Sequence, residues 1–108
     1  MAGRLNRGEI WQYTFKAPDK RRPVVIISRQ EVIPLLRTVM VAPITSTIHG
    51  SPAEVAVGMD EGLKGASAAN LDHVQTVDQA RLSRFIGRLP EGKMRQVCLA
   101  LARATGCD

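Results

Sequence analysis

The sequence predicts an α+β fold: a small, strongly curved, barrel-like β-sheet with one packed C-terminal helix and one or two short helices. Three observations carry this. Short runs of β-branched and aromatic residues recur as far as Val77, separated by polar stretches with Gly, Pro, Asp and Ser. From Pro90 onward the apolar residues switch to helical spacing. The chain has 108 residues, 44% of them hydrophobic, which suits one core and a single domain over residues 1–108.

Residues 8–15 place Trp11, Tyr13 and Phe15 at every second position, on one face of a strand. Packing in the core or at a subunit interface is the ordinary role for such residues; a stacking platform for bases could be built only here. Residues 16–22 form a polar loop with four positive charges and one negative. Residues 23–28, Pro-Val-Val-Ile-Ile-Ser, read as a strand buried on both faces. A short turn or helix interrupted at Pro34 follows over residues 31–36. Residues 38–45 are a third strand, in which Pro43 lacks an N–H and marks a bulge or a locally unpaired edge.

Residues 45–52 are polar loop, 53–57 a short strand, 58–65 a glycine-rich loop and 67–77 a further strand. From Asp78, a candidate N-cap, the reading is helical, with Gly87 ending or bending that region. Pro90 and Glu91 suit the start of a final helix, and Gly106 suits its C-terminal cap. Met94, Val97, Cys98 and Leu101 form its apolar stripe.

Fifteen Lys and Arg against ten Asp and Glu leave a net charge of +5, which favours an anionic partner. No apolar run reaches the length of a membrane span, and the N-terminus has charges without the apolar stretch of a secretory signal. Cys98 and Cys107 read as reduced thiols, consistent with a cytoplasmic protein. His49 and His73 lie in different elements, and HExxH, CxxC and DxDxDG patterns are missing. The expectation is therefore no metal and no cofactor. Phosphate-binding glycine loops and GxSxG are missing too, which argues against nucleotide-dependent enzymes and common hydrolases.

One constellation remains. Arg22 precedes Pro23, so it projects from extended backbone at a strand start. Thr45-Ser46-Thr47 closes the third strand. A guanidinium pairs bidentately with phosphate, and hydroxyls add short hydrogen bonds, a combination suited to a phosphodiester gaining charge in its transition state. Paired imidazoles as acid and base fit the sequence less well. His49 falls in a loop before Gly50, and His73 reads as a barrel residue bonded to backbone.

The ordered set of segments Arg7-Gly8-Glu9-Ile10-Trp11, Arg22-Pro23-Val24-Val25-Ile26-Ile27-Ser28, Val41-Ala42-Pro43-Ile44-Thr45-Ser46, Ser67-Ala68-Ala69-Asn70-Leu71-Asp72, Val77-Asp78-Gln79-Ala80-Arg81-Leu82 and Ile86-Gly87-Arg88-Leu89 resembles the MazF/PemK family of toxin endoribonucleases. The resemblance covers nearly the whole chain. It implies an SH3-like barrel working as a homodimer. It also implies metal-independent, sequence-specific cleavage of single-stranded RNA, and a cognate MazE-like antitoxin whose acidic or hydrophobic tail fills the RNA groove.

The family's catalytic Arg and Thr fall on Arg22 and Thr45. Ser46 and His73 are candidates for catalytic support. Lys16, Lys20, Arg21, Thr47 and Ser67 are candidate RNA contacts, the cations by a phosphate attraction that salt weakens. Two departures are visible. Residues 16–21 form a shorter loop than in many members. His73 stands where many have Gln, so it either moves a proton or replaces the Gln hydrogen bonds. Two rivals stand beside this reading. One is a gyrase-poisoning toxin on the same barrel, although the Trp-containing tail of those proteins is missing from Ala104-Thr105-Gly106-Cys107-Asp108. The other is a noncatalytic nucleic-acid-binding barrel.

Overall fold

The computed structural model describes residues 5–14 and 21–108. Phe15 and the greater part of the loop expected before Pro23 lie outside the described residues. The strands are β1 (Glu9–Thr14), β2 (Arg21–Ile26), β3 (Thr38–Thr45), β4 (Glu54–Val57), β5 (Ser67–Asn70), β6 (Gln75–Asp78) and β7 (Leu82–Arg88), and the helix α1 spans Glu91–Thr105. All pairings are antiparallel, in the order β4-β5-β3-β2-β1-β7, with β6 also on β3. The sheet is curved but not closed by hydrogen bonds, since β4 and β7 are the two ends of that order.

The β-branched run of β2 explains the layering. Val24 and Ile26 enter a cluster with Trp11, Tyr13, Val39, Val41 and Leu82 on one face. Val25 and Ile27 enter a second cluster on the other, with Ile44, Val55, Leu71, Val97 and Ala100. Val24, Val25 and Ile26 are completely buried, and each contributes about 1.5–3 kcal/mol of hydrophobic stabilisation. The α1 helix covers the second cluster through Met94, Val97, Ala100 and Leu101. Gly106, in the left-handed conformation, closes its C-terminus. Cys98, expected in the apolar stripe, is exposed instead. The buried stripe runs through Val97 and Ala100, which leaves Cys98 on the flank of the helix.

Pro43 shows why β3 can serve two partners. It pairs with Val24, opposite which its missing N–H is not needed. The Ile27 N–H donates to the Met40 carbonyl at 2.9 Å, so the alternation of hydrogen-bonded pairs turns the Pro43 nitrogen away from β2. On that far side β3 pairs with β6 over Thr38–Val41 and with β5 at Ile44 and Thr45. Pro43 therefore faces the gap between β5 and β6. On that side it is a locally unpaired position, as expected, and the β2–β3 register, which ends at the Val24–Pro43 pair, has no bulge.

Three sequence readings are corrected. The single strand expected over residues 67–77 is two strands, because the Asn70 side chain accepts the Asp72 N–H at 2.9 Å and starts a 3-10 turn over Leu71–His73. Asp78 does cap a turn, accepting from the Ala80 N–H at 3.0 Å, but that turn ends at Arg81. Leu82–Arg88 is then a strand rather than a helix, because pairing with β1 decides its conformation. Phe85 meets Trp11 edge to face across that pair, centroids 5.9 Å apart. In place of one or two short helices there are four 3-10 segments among the described residues. The one over Gln30–Leu35, with Pro34 inside, is tied down by buried Gln79, whose Nε2 donates to the carbonyls of Ile33 (2.7 Å), Leu36 (2.9 Å) and Thr38 (3.2 Å).

The loop after β4 docks on β7 backbone to backbone. A Cβ on Gly87 would lie 2.0 Å from the Glu61 carbonyl oxygen, and one on Gly62 would lie 2.6 Å from that of Ile86. Only paired glycines permit this approach. Glu61, buried, accepts the Gly58 N–H at 2.6 Å and holds the loop shape. Among the described residues no helix is long and apolar enough to cross a membrane.

Candidate active site

The site forms where β2 begins and β3 ends. Extended geometry before Pro23 carries the strand back to Arg21, so both arginines of the expected loop end are strand residues. Tyr13 of β1 pairs with Arg22. Val24 pairs with Pro43, and Arg22 and Thr45, which lie beyond that pair on the same two strands, line the same cavities. The Thr45 Oγ1 accepts the Thr47 N–H at 3.1 Å, so the turn orients the hydroxyl and leaves its own proton to donate.

Arg22, Thr45 and Thr47 line both of two cavities. The larger, about 650 Å³, is also lined by Arg21, Lys64 and Arg84, so four cationic side chains face it. The smaller, about 430 Å³, adds His49 and His73. Neither is lined by an Asp or Glu among the described residues. Arg21, Arg22 and Lys64 make no side-chain hydrogen bond or ion pair among the described residues, and Arg84 donates to Gln12 Oε1 at 3.2 Å. Exposed guanidinium groups without carboxylate partners are a standing attraction for a phosphate.

The sequence-predicted residues thus converge in part. Arg22 and Thr45 come together; Thr47 joins them, Ser46, Arg21 and Ser67 line the larger cavity, and His73 the smaller. Lys16 and Lys20 lie outside the described residues. Gln12, Lys64, Arg84 and Phe85 were not among the candidates, and His49 was weighed only in the less favoured paired-imidazole reading. Trp11 and Tyr13 are 7% exposed and serve as packing. Phe85, 44% exposed, is the aromatic side chain on the larger cavity. Among the described residues no three His, Cys, Asp or Glu side chains cluster as a metal site.

Glu54 holds the loop that carries His49. Its carboxylate accepts the backbone N–H groups of His49 (3.1 Å), Gly50 (2.7 Å) and Ser51 (3.1 Å). The His49 amide is the largest cause of a Glu54 pKa below its ordinary 4.5, with the Gly50 and Ser51 amides and the His49 charge adding to it against desolvation. A lowered carboxylate pKa means that the clamp is complete above 4.5 and is lost as pH falls through the folded value. The amide resonances of His49, Gly50 and Ser51 are expected to titrate together with a midpoint below 4.5, and Glu54→Ala is expected to abolish that titration. A common midpoint at or above 4.5 would remove the clamp.

The comparisons with known proteins agree with this geometry. The family model described as PemK-like, MazF-like toxin of type II toxin-antitoxin system matches residues 6–105. The chain is 45% identical over 104 residues to the probable endoribonuclease MazF5 of Mycobacterium tuberculosis (strain ATCC 25618 / H37Rv), covering 94% of each. It is 39% identical over 90 residues to endoribonuclease MazF3 of the same strain, covering 83% of this chain and 87% of that one. Among solved structures, Mycobacterium tuberculosis toxin MazF-mt6 superimposes with a TM-score of 0.85 at 36% identity, over 93% of this chain and 98% of that one. A barrel-like sheet of this order, with a match running almost from end to end, makes the chain a member of the PemK-like, MazF-like toxins of type II toxin–antitoxin systems.

Proposed function

We propose that this toxin is an endoribonuclease that cleaves single-stranded RNA at short sequence motifs by transphosphorylation. The observation that carries the reading is the convergence of Arg22 and Thr45 on two cavities free of carboxylates among the described residues. The ribose 2′-hydroxyl attacks the adjacent phosphorus and the 5′-oxygen leaves, giving a 2′,3′-cyclic phosphate and a 5′-hydroxyl. DNA lacks that nucleophile, so the chemistry itself selects RNA. Arg22 pairs with the nonbridging oxygens as their charge grows, and Thr45 donates its remaining proton to one of them or orients the nucleophile. Arg21, Lys64 and Arg84 draw the flanking phosphates along the larger cavity, and Thr47, Ser46 and Ser67 offer hydroxyls beside them.

The same cationic groove suits the acidic or hydrophobic tail of a cognate MazE-like antitoxin, so inhibitor and RNA compete for it. The toxin acts in the cytoplasm as one domain per chain, and as a homodimer. Exposed Leu35, Leu36 and Met40 provide an apolar surface that a second copy would cover.

Incubating the protein with a long RNA in EDTA tests the reading. Discrete fragments with 5′-hydroxyl and cyclic phosphate ends are expected, and sequencing the 5′ ends gives the motif. RNA that is retarded but intact, or intact RNA with DNA cleavage complexes when gyrase is added, would overturn it.

A further inference from the structure

Arg22 and Thr45 leave two steps of the proposed reaction without an agent. A proton must leave the 2′-hydroxyl, and another must reach the departing 5′-oxygen. A guanidinium stays protonated in proteins, so it does neither efficiently. Imidazole is the side chain suited to both transfers near neutrality.

The structure brings the two histidines to that point from opposite ends of an intervening strand pair. His73 ends the 3-10 turn Leu71–His73, which lies between β5 and β6 and so faces β3 at Pro43. His49 lies in the segment between β3 and β4, with its backbone held by Glu54. Both line the smaller cavity with Arg22, Thr45 and Thr47. Both are exposed, and neither imidazole makes a hydrogen bond among the described residues.

We propose that His73 is the general base and His49 the general acid of the cleavage, acting on the phosphate that Arg22 and Thr45 hold. The inference rests on the RNA-cleavage reading above. His73 takes the 2′-hydroxyl proton as the bond from the 2′-oxygen to phosphorus forms. His49, entering as imidazolium, gives its proton to the 5′-oxygen as the bond from phosphorus to that oxygen breaks. One imidazole gains a proton, the other loses one, and exchange with water restores both. The acid role falls to His49 because the Glu54 carboxylate of β4 accepts its backbone N–H at 3.1 Å and so sets a negative charge beside that residue. The other charged groups around the pair are Arg22 of β2, which lines the same cavity, and Asp72, which accepts from Ser51 Oγ at 3.5 Å.

The test uses a short RNA with one cleavage site and a second version with sulfur in place of the bridging 5′-oxygen. A thiolate leaves without protonation, so only loss of the general acid is repaired by it. His49→Ala and His73→Ala are each expected to lower kcat by about 10²–10⁴-fold with KM little changed. His73→Ala removes the acidic limb of the pH–rate profile and His49→Ala the alkaline limb. The sulfur substrate restores His49→Ala to near the wild-type rate and leaves His73→Ala slow. If the wild-type protein cuts and both folded variants cut as fast with an unchanged profile, this inference alone falls. A slow His49→Ala that sulfur does not restore overturns it as well, since a merely structural histidine behaves that way. Wild-type protein that leaves the RNA uncut overturns the parent reading and this one together.

Discussion

Arg22→Ala is expected to lower kcat for RNA cleavage by about 10²–10³-fold, the cost of removing one well-aimed donor from a developing oxyanion. Its melting temperature should stay within a degree or two of the wild type. The Arg22 side chain is exposed and makes no hydrogen bond or ion pair among the described residues, so truncation removes no folded-state contact of consequence. Arg22→Lys separates charge from geometry. It keeps the attraction for phosphate but loses the planar fork that grips two oxygens, so it should recover binding more than rate. Thr45→Val is the companion variant. It also deletes the acceptor of the Thr47 N–H, so a small loss of turn stability accompanies the loss of rate. The two effects should not add, because both groups serve one phosphate. Single-turnover rates with a defined RNA measure all of this. Folded Arg22→Ala with full activity would remove the guanidinium from the reaction.

Gly87→Val is expected to be the most damaging single substitution for stability outside the core. Any Cβ there would sit 2.0 Å from the Glu61 carbonyl oxygen and 2.9 Å from its carbon, both of them backbone atoms that no rotamer change can move. The loop must lift off β7. Overpacking of this kind costs about 3 kcal/mol, or a fall in Tm of ~15 °C for a domain this small. Lys64 and Leu63 would leave the larger cavity with the loop, so RNA affinity should fall even where the remaining fold survives. Gly65→Ala is the control in the same loop. Its Cβ would meet nothing within 4 Å, and a change within about 0.5 kcal/mol is expected. Equal melting curves for the two variants would show that the glycine crossing does not hold the loop.

Much of the scaffold was legible in one dimension because it is written in local patterns. The β-branched run of β2 announced burial on both faces, and Val24 and Val25 do enter opposite clusters. Pro90 and Gly106 bracketed α1 through their own backbone preferences. Arg22 could be singled out because it opens a recognisable strand beside Pro23, and Thr45 because it closes one two residues after Pro43. Their convergence then required only that consecutive strands pair antiparallel. The strand β7 was not legible. Residues 82–88 lack a clean period of either kind, and they are extended because β1 offers an edge, a preference that no window of local sequence contains.

The amino-acid order by itself determined the class of fold and the limits of the final helix and singled out the guanidinium–hydroxyl pair, because each depends on periodicity or on a neighbour one or two residues away. Only the tertiary structure decided which cations share the groove and that two histidines from separate segments line the cavity beside it. Lys64, Arg84, His49 and His73 gain their neighbours through strand pairing and a glycine-to-glycine crossing between segments distant in the chain. Contacts of that kind arise from long-range packing, which local spacing does not encode.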